Sequence, residues 1–420
     1  MKNSCLLDKD HNFYHLGVIQ GMALGLPGII IPNVSYHAVW IGNFILWAIA
    51  LPIIAMAFQS RANGIENVLD HVGKTACILS CIFLGIAFLS WYELQISTAV
   101  SCLYSSEDIK LVSFYIAMVI GLLSIFGIRY IKMLSVFAFP SLTLMAIWIC
   151  FSISKSPPIA IEKAISINSI FLGVTYVVFQ NLPGITSLPT FFRHAKSTSH
   201  LVLGLLVMTL VCIFFQLFGV WINVGTPLNF NLLYSGSIIP YWLAVAFVML
   251  SLFCTNSVNI YFASAGLETI ANIYQTTSLK KMKNFLSFFS SEYRSGSFSF
   301  NFSCVIIGLL GAFATFLPKS FTFLEYSEEL FDNILSNLGV ILFFSYFMQL
   351  FWHRRHPLIQ KTTSWIGWLV GSGTSIIVQK QYPMDKLDAS YVGVFVTSMA
   401  FILIIFLELN FWAATRLNKY

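Results

Sequence analysis

Trp91 and Gln95 stand four residues apart in the run Trp91-Tyr92-Glu93-Leu94-Gln95. On a helix that spacing puts an indole and a carboxamide on one face. A ring to stack on, beside a group that both donates and accepts, suits a flat heterocycle with amide edges. The same pair also fits a plain helix contact, because Gln bridges helices and Trp is common in membrane proteins. A second cluster, Cys254-Thr255-Asn256-Ser257-Val258-Asn259-Ile260-Tyr261, gathers hydroxyl, amide and thiol groups within an apolar stretch. Unsatisfied polar groups are costly there. The cluster therefore supplies oxygens to a hard cation such as sodium, or it ties helices together. Glu93 is an acid in the segment that carries Trp91 and lies about 200° around the helix from it. It is a candidate proton carrier, and a protonated, hydrogen-bonded structural role fits it equally.

Elements that hold such groups must themselves tolerate lipid. Of 420 residues, 57% are hydrophobic and 10% charged, against roughly 25% charged in an average soluble domain. Mean hydropathy is +0.80. A spanning helix needs roughly 20 apolar residues, and twelve segments qualify: 14–33, 36–58, 75–103, 110–127, 130–152, 167–188, 200–222, 238–272, 302–318, 334–352, 364–379 and 390–414. The expected class is all-α integral membrane, with about twelve transmembrane helices. The N-terminal dozen residues are polar, and the first apolar stretch holds Pro27 and Pro32 without a small-residue cleavage site. It reads as a retained span rather than a signal peptide.

Charge placement tests the span count independently, because cytoplasmic loops collect Lys and Arg. With the N-terminus inside, seventeen of the 23 basic residues fall in inner segments. The 316–333 loop is acidic, with Glu325, Glu328, Glu329 and Asp332. Both termini (1–13 and 415–420) are expected in the cytoplasm. The net charge of +6 is a topology signal, since no basic stripe with interleaved aromatics points to nucleic acid. His353-Arg354-Arg355-His356 reads as topology-setting charge rather than a metal site, and Lys280-Lys281-x-Lys283 opens an inner loop. Glu268 and Glu408 sit near inner helix ends, and the eight cysteines show no zinc or disulfide pattern.

Two spans carry the same interruption. Leu26-Pro27-Gly28-Ile29 and Leu182-Pro183-Gly184-Ile185 lie 156 residues apart, each with a second proline downstream at Pro32 and Pro189. Proline removes a helix donor and glycine adds backbone freedom. In lipid the freed groups persist only where they line a cavity or are buried in protein. Matched Gly/Pro-interrupted spans in two halves of a chain are the usual pointer to a transporter binding site near the bilayer midplane.

Leu24-Gly-Leu-Pro-Gly28, Trp91-x-x-x-Gln95, the run Leu188-Pro-Thr-Phe-Phe-Arg-His-Ala-Lys-Ser197 and Thr255-Asn256 together resemble the nucleobase–cation symporter-1 family, cytosine permeases in particular. The most specific part is Pro189-x-Phe191-x-Arg193-x-Ala195-Lys196. The stretch from Thr255 to Tyr261 is similar to that family's eighth helix. The resemblance covers most of 14–352 at motif level.

That resemblance implies a five-plus-five inverted repeat of the leucine-transporter-like kind, with discontinuous helices 1 and 6. Residues 14–152 and 167–352 form the halves, and 364–414 supply two peripheral helices. It implies a nucleobase-like substrate, cytosine or a purine favoured, stacked on Trp91 and bonded by Gln95. Gly25 and Gly28 flank it at the first break, Phe179, Gln180 and Asn181 form the opposite wall, and Asn256 shapes the eighth-helix side. A coupling sodium would sit between carbonyls near the first break, at Leu24 and Pro27, and the side chains of Ser251, Cys254 and Thr255. Cys254 departs from the family's adjacent hydroxyl pair, and a thiol gains sodium little. Proton coupling stays open beside sodium coupling. Glu93 stands where the family usually has a small residue.

No resident cofactor or enzyme activity is expected, and a monomer in a bacterial inner membrane is. An amino-acid permease of similar architecture is the alternative, and Trp91 with Gln95 favours a flat ring over it. The basic loop motif of major-facilitator transporters is absent between the second and third spans. An integral-membrane enzyme would show an Asp-rich metal motif or clustered His, and neither occurs. A non-transporting sensor on the same scaffold is a further alternative.

Overall fold

The computed structural model describes residues 13–27, 34–61, 64–101, 103, 109–154, 167–222, 239–275, 298–316, 320–351, 357–381 and 386–417. Gly28, Lys280–Lys283 and His353–His356 lie outside these residues, and the side chains of Glu268, Glu325, Glu328, Glu329, Asp332 and Glu408 are likewise not described. Fourteen α-helices run through the described residues. They are α1 (Phe13–Gly25), α2 (Tyr36–Ser60), α3 (Gly64–His71), α4 (Lys74–Ser101), α5 (Ile109–Leu123), α6 (Gly127–Ser154) and α7 (Ile167–Ile185). There follow α8 (Pro189–Phe192), α9 (Thr198–Ile222), α10 (Tyr241–Gln275), α11 (Phe298–Phe316), α12 (Ser320–Phe351), α13 (Pro357–Gln381) and α14 (Lys386–Leu417).

All twelve expected segments contain a helix. Six stretches are long and apolar enough to cross a bilayer among the described residues: 36–60, 74–101, 130–153, 198–222, 241–267 and 389–407. Four shorter apolar helices cover 109–123, 170–185, 303–315 and 333–348. The chain is a multi-pass membrane protein. Burial sorts these helices into centre and rim. Within the most apolar windows, 67% of α10 and 61% of α9 residues are buried, against 22% in α6 and α14. Phe137, Leu144, Phe151, Phe395 and Phe406 accordingly point outward, as apolar side chains facing lipid do.

Setting aside short α3 and α8, the first five helices correspond in order to the next five. The packing is nearly unchanged when the two sets are exchanged. α1 lies on α9 and α7 on α2; α4 lies on α12 and α10 on α6; α1 touches α6 and α7 touches α12. Three pairs meet their own counterparts, α2 with α9, α4 with α10 and α5 with α11. The offset of 156 residues reappears in the packing. A Cβ on Gly17 would meet Val207 of α9 at 2.7 Å, and one on Gly173 would meet Ala38 of α2 at 2.7 Å. Small residues let membrane helices approach this closely. At the α5–α11 crossing Gly121 and Gly308 touch backbone to backbone, so a Cβ on Gly121 would lie 2.8 Å from the Gly308 carbonyl carbon.

The two LPGI runs stand differently in their helices. α1 stops at Gly25, after Leu26 N–H closes on Met22 O at 3.0 Å. α7 instead continues through its own run with Pro183 in the last turn and stops at Ile185. Hydroxyls explain that extension: Thr186 Oγ1 donates to Pro183 O (2.8 Å) and Ser187 Oγ to Gly184 O (2.6 Å). At this helix end Pro183 O thereby gains a hydroxyl donor, and Gly184 O gains one beside the Ser187 amide (3.1 Å). The interruption therefore follows the motif at Thr186–Leu188, before the single turn of α8.

The peripheral pair α13–α14 is clasped to α12. A Cβ on Gly371 would collide with Thr397 Oγ1, and one on Gly393 with Ser375 Oγ, so each helix lends a glycine to the other's hydroxyl. Asn337 of α12 sits between them, donating to Ser375 Oγ (3.3 Å) and accepting from Thr397 Oγ1 (2.7 Å). One turn away Asn333 donates to Gln379 Oε1 and accepts from Ser390 Oγ.

Candidate functional site

The site grows from the α4–α10 contact. Asn259 Nδ2 of α10 donates to Gln95 Oε1 of α4 at 3.3 Å. Four residues before Gln95 on the same face, the half-buried Trp91 meets Phe88 edge-on, with centroids 5.1 Å apart. Asn256 is one turn from Asn259 on α10 and shares its face. It is fully buried, donates through Nδ2 to Leu252 O (3.1 Å), and its Oδ1 has no hydrogen-bond partner. A buried acceptor without a donor is a costly feature and a natural partner for a ligand N–H.

The expected cation ligands precede Asn259 on α10 by one to two turns. Ser251 Oγ donates to Phe247 O (2.7 Å) and Thr255 Oγ1 to Ser251 O (3.1 Å). Each hydroxyl sends its proton into the helix, which leaves oxygen lone pairs outward, and Thr255 Oγ1 also accepts from Asn256 Nδ2 (3.4 Å). Cys254 is buried between them in sequence, at 4% exposure. The oxygen pair fits a hard cation and the thiol does not. α1, which ends just before Pro27, packs against α10. Pro27 has no amide hydrogen, so the Ala23 carbonyl four residues earlier receives none from it. In α7 the same relation holds between Pro183 and the Phe179 carbonyl.

Other expected site residues are less uniformly placed. Leu24 lies against the second LPGI run, where a Cβ on Gly184 would lie 2.8 Å from its Cδ2. Gly25 faces α9, where a Cβ would lie 2.9 Å from Cys212 Cα. In α7, Phe179 packs edge-on against Tyr391 of α14 (5.6 Å), Gln180 is exposed, and Asn181 is buried with Nδ2 donating to Val177 O (2.8 Å). Successive helix positions point about 100° apart, so these three residues do not share one wall. Glu93 is buried at 2% exposure and accepts from Ser97 Oγ one turn on (3.2 Å).

Several participants carry no role from sequence alone. Asn259 stands in the polar cluster, and its spacing from Asn256 is the one signal that could have found it. Phe88 and Phe262 stack at 5.3 Å, and Phe191 meets Phe262 at 5.2 Å and Tyr261 at 4.8 Å. Only the helical spacing of Phe88 and Trp91 hints at this aromatic chain.

No protein-family profile matches the sequence, and no curated protein does. Solved structures do match the fold. A Na+-coupled sialic acid symporter in a substrate-bound, outward-open state aligns with a TM-score of 0.67 at 11% identity, over 93% of this chain and 88% of that one. Mhp1, a nucleobase-cation-symport-1 family transporter in a closed conformation with bromovinylhydantoin bound, aligns with a TM-score of 0.61 at 14% identity, over 94% of this chain and 91% of that one. Both are membrane transporters rather than enzymes. At such identities the likeness is one of fold, and this chain has that leucine-transporter-like, inverted-repeat fold.

Proposed function

We propose that the chain is a secondary active transporter that imports a nucleobase or related small planar heterocycle, cytosine or a purine foremost, by ion-coupled symport with alternating access. The observation that carries the reading is the Gln95–Asn259 bond beside the half-buried indole of Trp91, one turn from the unpartnered Asn256 Oδ1. A flat ring stacks on an indole while its edge exchanges hydrogen bonds with carboxamides. These side chains are all uncharged, which suits a neutral ring better than an acidic solute or an α-amino acid. An amino-acid permease remains the alternative.

The coupling ion in this reading is sodium or a proton. Sodium would lie between backbone oxygens near Leu24 and Pro27 and the hydroxyls of Ser251 and Thr255. The two halves, 14–152 and 167–352, would move against each other around the site, with 364–414 at the rim. The protein would work as a monomer in the cell membrane, a bacterial inner membrane in the first instance, with both termini cytoplasmic and no nucleic-acid partner.

Radiolabelled cytosine, uracil, adenine, guanine and hypoxanthine, offered to expressing cells with and without a sodium gradient, test the proposal. Accumulation of one of them, abolished in Gln95→Ala at unchanged membrane expression, is the expected result. Uptake of an amino acid with none of the heterocycles would overturn it.

A further inference from the structure

Pro189–Lys196, the most specific motif in the sequence, takes no part in the substrate site as described. It closes one end of it. From Trp91 a continuous chain of rings descends through Phe88 (5.1 Å), Phe262 (5.3 Å) and Phe191 (5.2 Å), and Phe191 also meets Tyr261 (4.8 Å). Phe191 and Phe192 are completely buried and Tyr261 nearly so. Tyr261 lies seven residues from Cys254, on the same face of α10, so these rings stand between the polar cluster and the end of the molecule where α8 lies. That end also carries the start of α1, since Phe13 packs against His200 at the start of α9 (5.9 Å).

The backbone around the rings is bolted in place. Arg61, in a left-handed conformation (φ 58°), donates through Nη1 to Arg193 O (2.7 Å) and Ala195 O (2.6 Å). Its guanidinium also covers the Phe58 ring at 4.4 Å. Arg193 Nη1 pairs with Glu66 Oε2 of α3 at 3.6 Å. Gly64 lets the start of α3 rest on the Thr186 carbonyl, where a Cβ would collide. The Arg193 side chain is 9% exposed and that of Glu66 33%, so the pair is sealed on its inner side and reachable by water on the other.

We propose that Pro189–Lys196 is a gate: Phe191 is the plug that seals the substrate site from this face, and Arg193–Glu66 with Arg61 is the latch that holds it shut. The gate rests on the transporter reading but not on the identity of the substrate. Opening it requires Phe191 to leave its aromatic contacts and the latch to part. A solute stacked on Trp91 touches the first ring of the same chain, so it biases the equilibrium to the extent that it contacts the two states differently.

The test is alkylation of Cys254 by a membrane-impermeant maleimide, in a full-length chain whose other seven cysteines are changed to serine, applied to each side of vesicles holding it. From the face on which α8 and the start of α1 lie, Phe191→Ala and Glu66→Gln are expected to label at least about tenfold faster than the parent. The exchange Arg193→Glu with Glu66→Arg should return the rate towards the parent's, and Cys254→Ser should abolish the signal. Glu66→Gln serves as the second probe where Phe191→Ala fails to fold. Rates within about twofold of the parent in a folded variant, or equal labelling from both faces, would overturn the gate. Labelling needs no substrate, so gated labelling alongside absent heterocycle uptake would sink the substrate assignment and leave the gate standing.

Discussion

Asn43 of α2 donates to Gln216 of α9 at 2.6 Å, a fully buried bond between two helices that are each other's counterparts in the repeat. Asn43 Nδ2 also reaches Val39 O at 2.8 Å, whereas Gln216 Nε2 has no partner. Removing one amide strands the other, and leaving a buried polar group unmade costs about 1–3 kcal/mol.

Asn43→Leu alone is therefore expected to lower the melting temperature in detergent. The double variant Asn43→Leu with Gln216→Leu should recover most of the loss, because two apolar groups leave nothing unsatisfied. Additive losses would show that the pair does not act as a unit.

Asn259→Ala removes the donor that holds Gln95 without touching Trp91. Under the proposed function it should raise the half-saturation concentration for uptake by about tenfold, equivalent to one charge-neutral hydrogen bond of about 1.4 kcal/mol, and change the maximal rate less. Trp91→Phe should retain more uptake than Trp91→Ala, since a smaller ring still stacks. Indifference of uptake kinetics to Asn259→Ala would remove the α4–α10 bond from the site.

Cys254→Ser restores a hard oxygen beside Thr255. If sodium is the coupling ion, the sodium concentration that half-maximally drives uptake should fall in this variant, because oxygen replaces sulfur near the cation. Uptake that ignores sodium in both the parent and the variant, yet follows an imposed pH gradient, would assign coupling to protons.

At the α3–α13 contact, Lys361 Nζ donates to Leu69 O at 3.3 Å. Burial, with a smaller contribution from the Lys361 charge, pushes the adjacent His71 down from 6.5 to about 4. The folded protein therefore holds His71 neutral where the unfolded chain protonates it. This contribution to stability is complete above pH 6.5 and is lost as pH falls towards about 4, amounting to about 3 kcal/mol at most. Asp70 opposes part of it: burial raises its carboxyl, against the Lys361 charge, so its protonation favours the folded state as pH falls. Melting temperatures between pH 7 and 4.5 should drop, and His71→Gln should flatten the slope. An unchanged slope in His71→Gln would exclude this residue as its source.

Gly308→Ala places a methyl group inside the Gly121 backbone, whereas Gly373 has nothing within 4 Å of an added Cβ. The first substitution should destabilise by about 1–3 kcal/mol, as overpacking does, and Gly373→Ala should be nearly silent. Equal melting temperatures for the two variants would mean that the α5–α11 crossing yields without cost.

Much of the fold was legible because lipid leaves few choices. Long apolar runs mark where helices must lie, and each of the twelve contains an observed helix. The second interruption was displaced because Thr186 and Ser187 cap carbonyls after the proline, a local bond that hydropathy cannot register. In the proposed site, the shared face of Trp91 and Gln95 is readable from a single helix, but the Asn259 contact is not. Its role depends on which face of α10 meets α4, and a helix buried nearly all round carries no polar stripe to mark its facing. The same ambiguity explains Phe179, Gln180 and Asn181: consecutive residues cannot share a wall, and only packing decides which one turns inward. Phe191 and Arg193 were conspicuous as a motif, yet their partners Phe262 and Glu66 lie 71 and 127 residues away in the chain.

The clasp between α12, α13 and α14 bears on what counts as the whole machine. Among the described residues, Asn333 and Asn337 find their side-chain partners Gln379, Ser375, Ser390 and Thr397 on the last two helices. A chain shortened to ten spans would not end on a finished lipid-facing surface. It would turn two carboxamides towards hydrocarbon, where nothing replaces the missing hydroxyls. The outermost helices are thus part of the solvent that α12 needs, and the ten-helix core inherits a dependence on a pair that lies outside its symmetry.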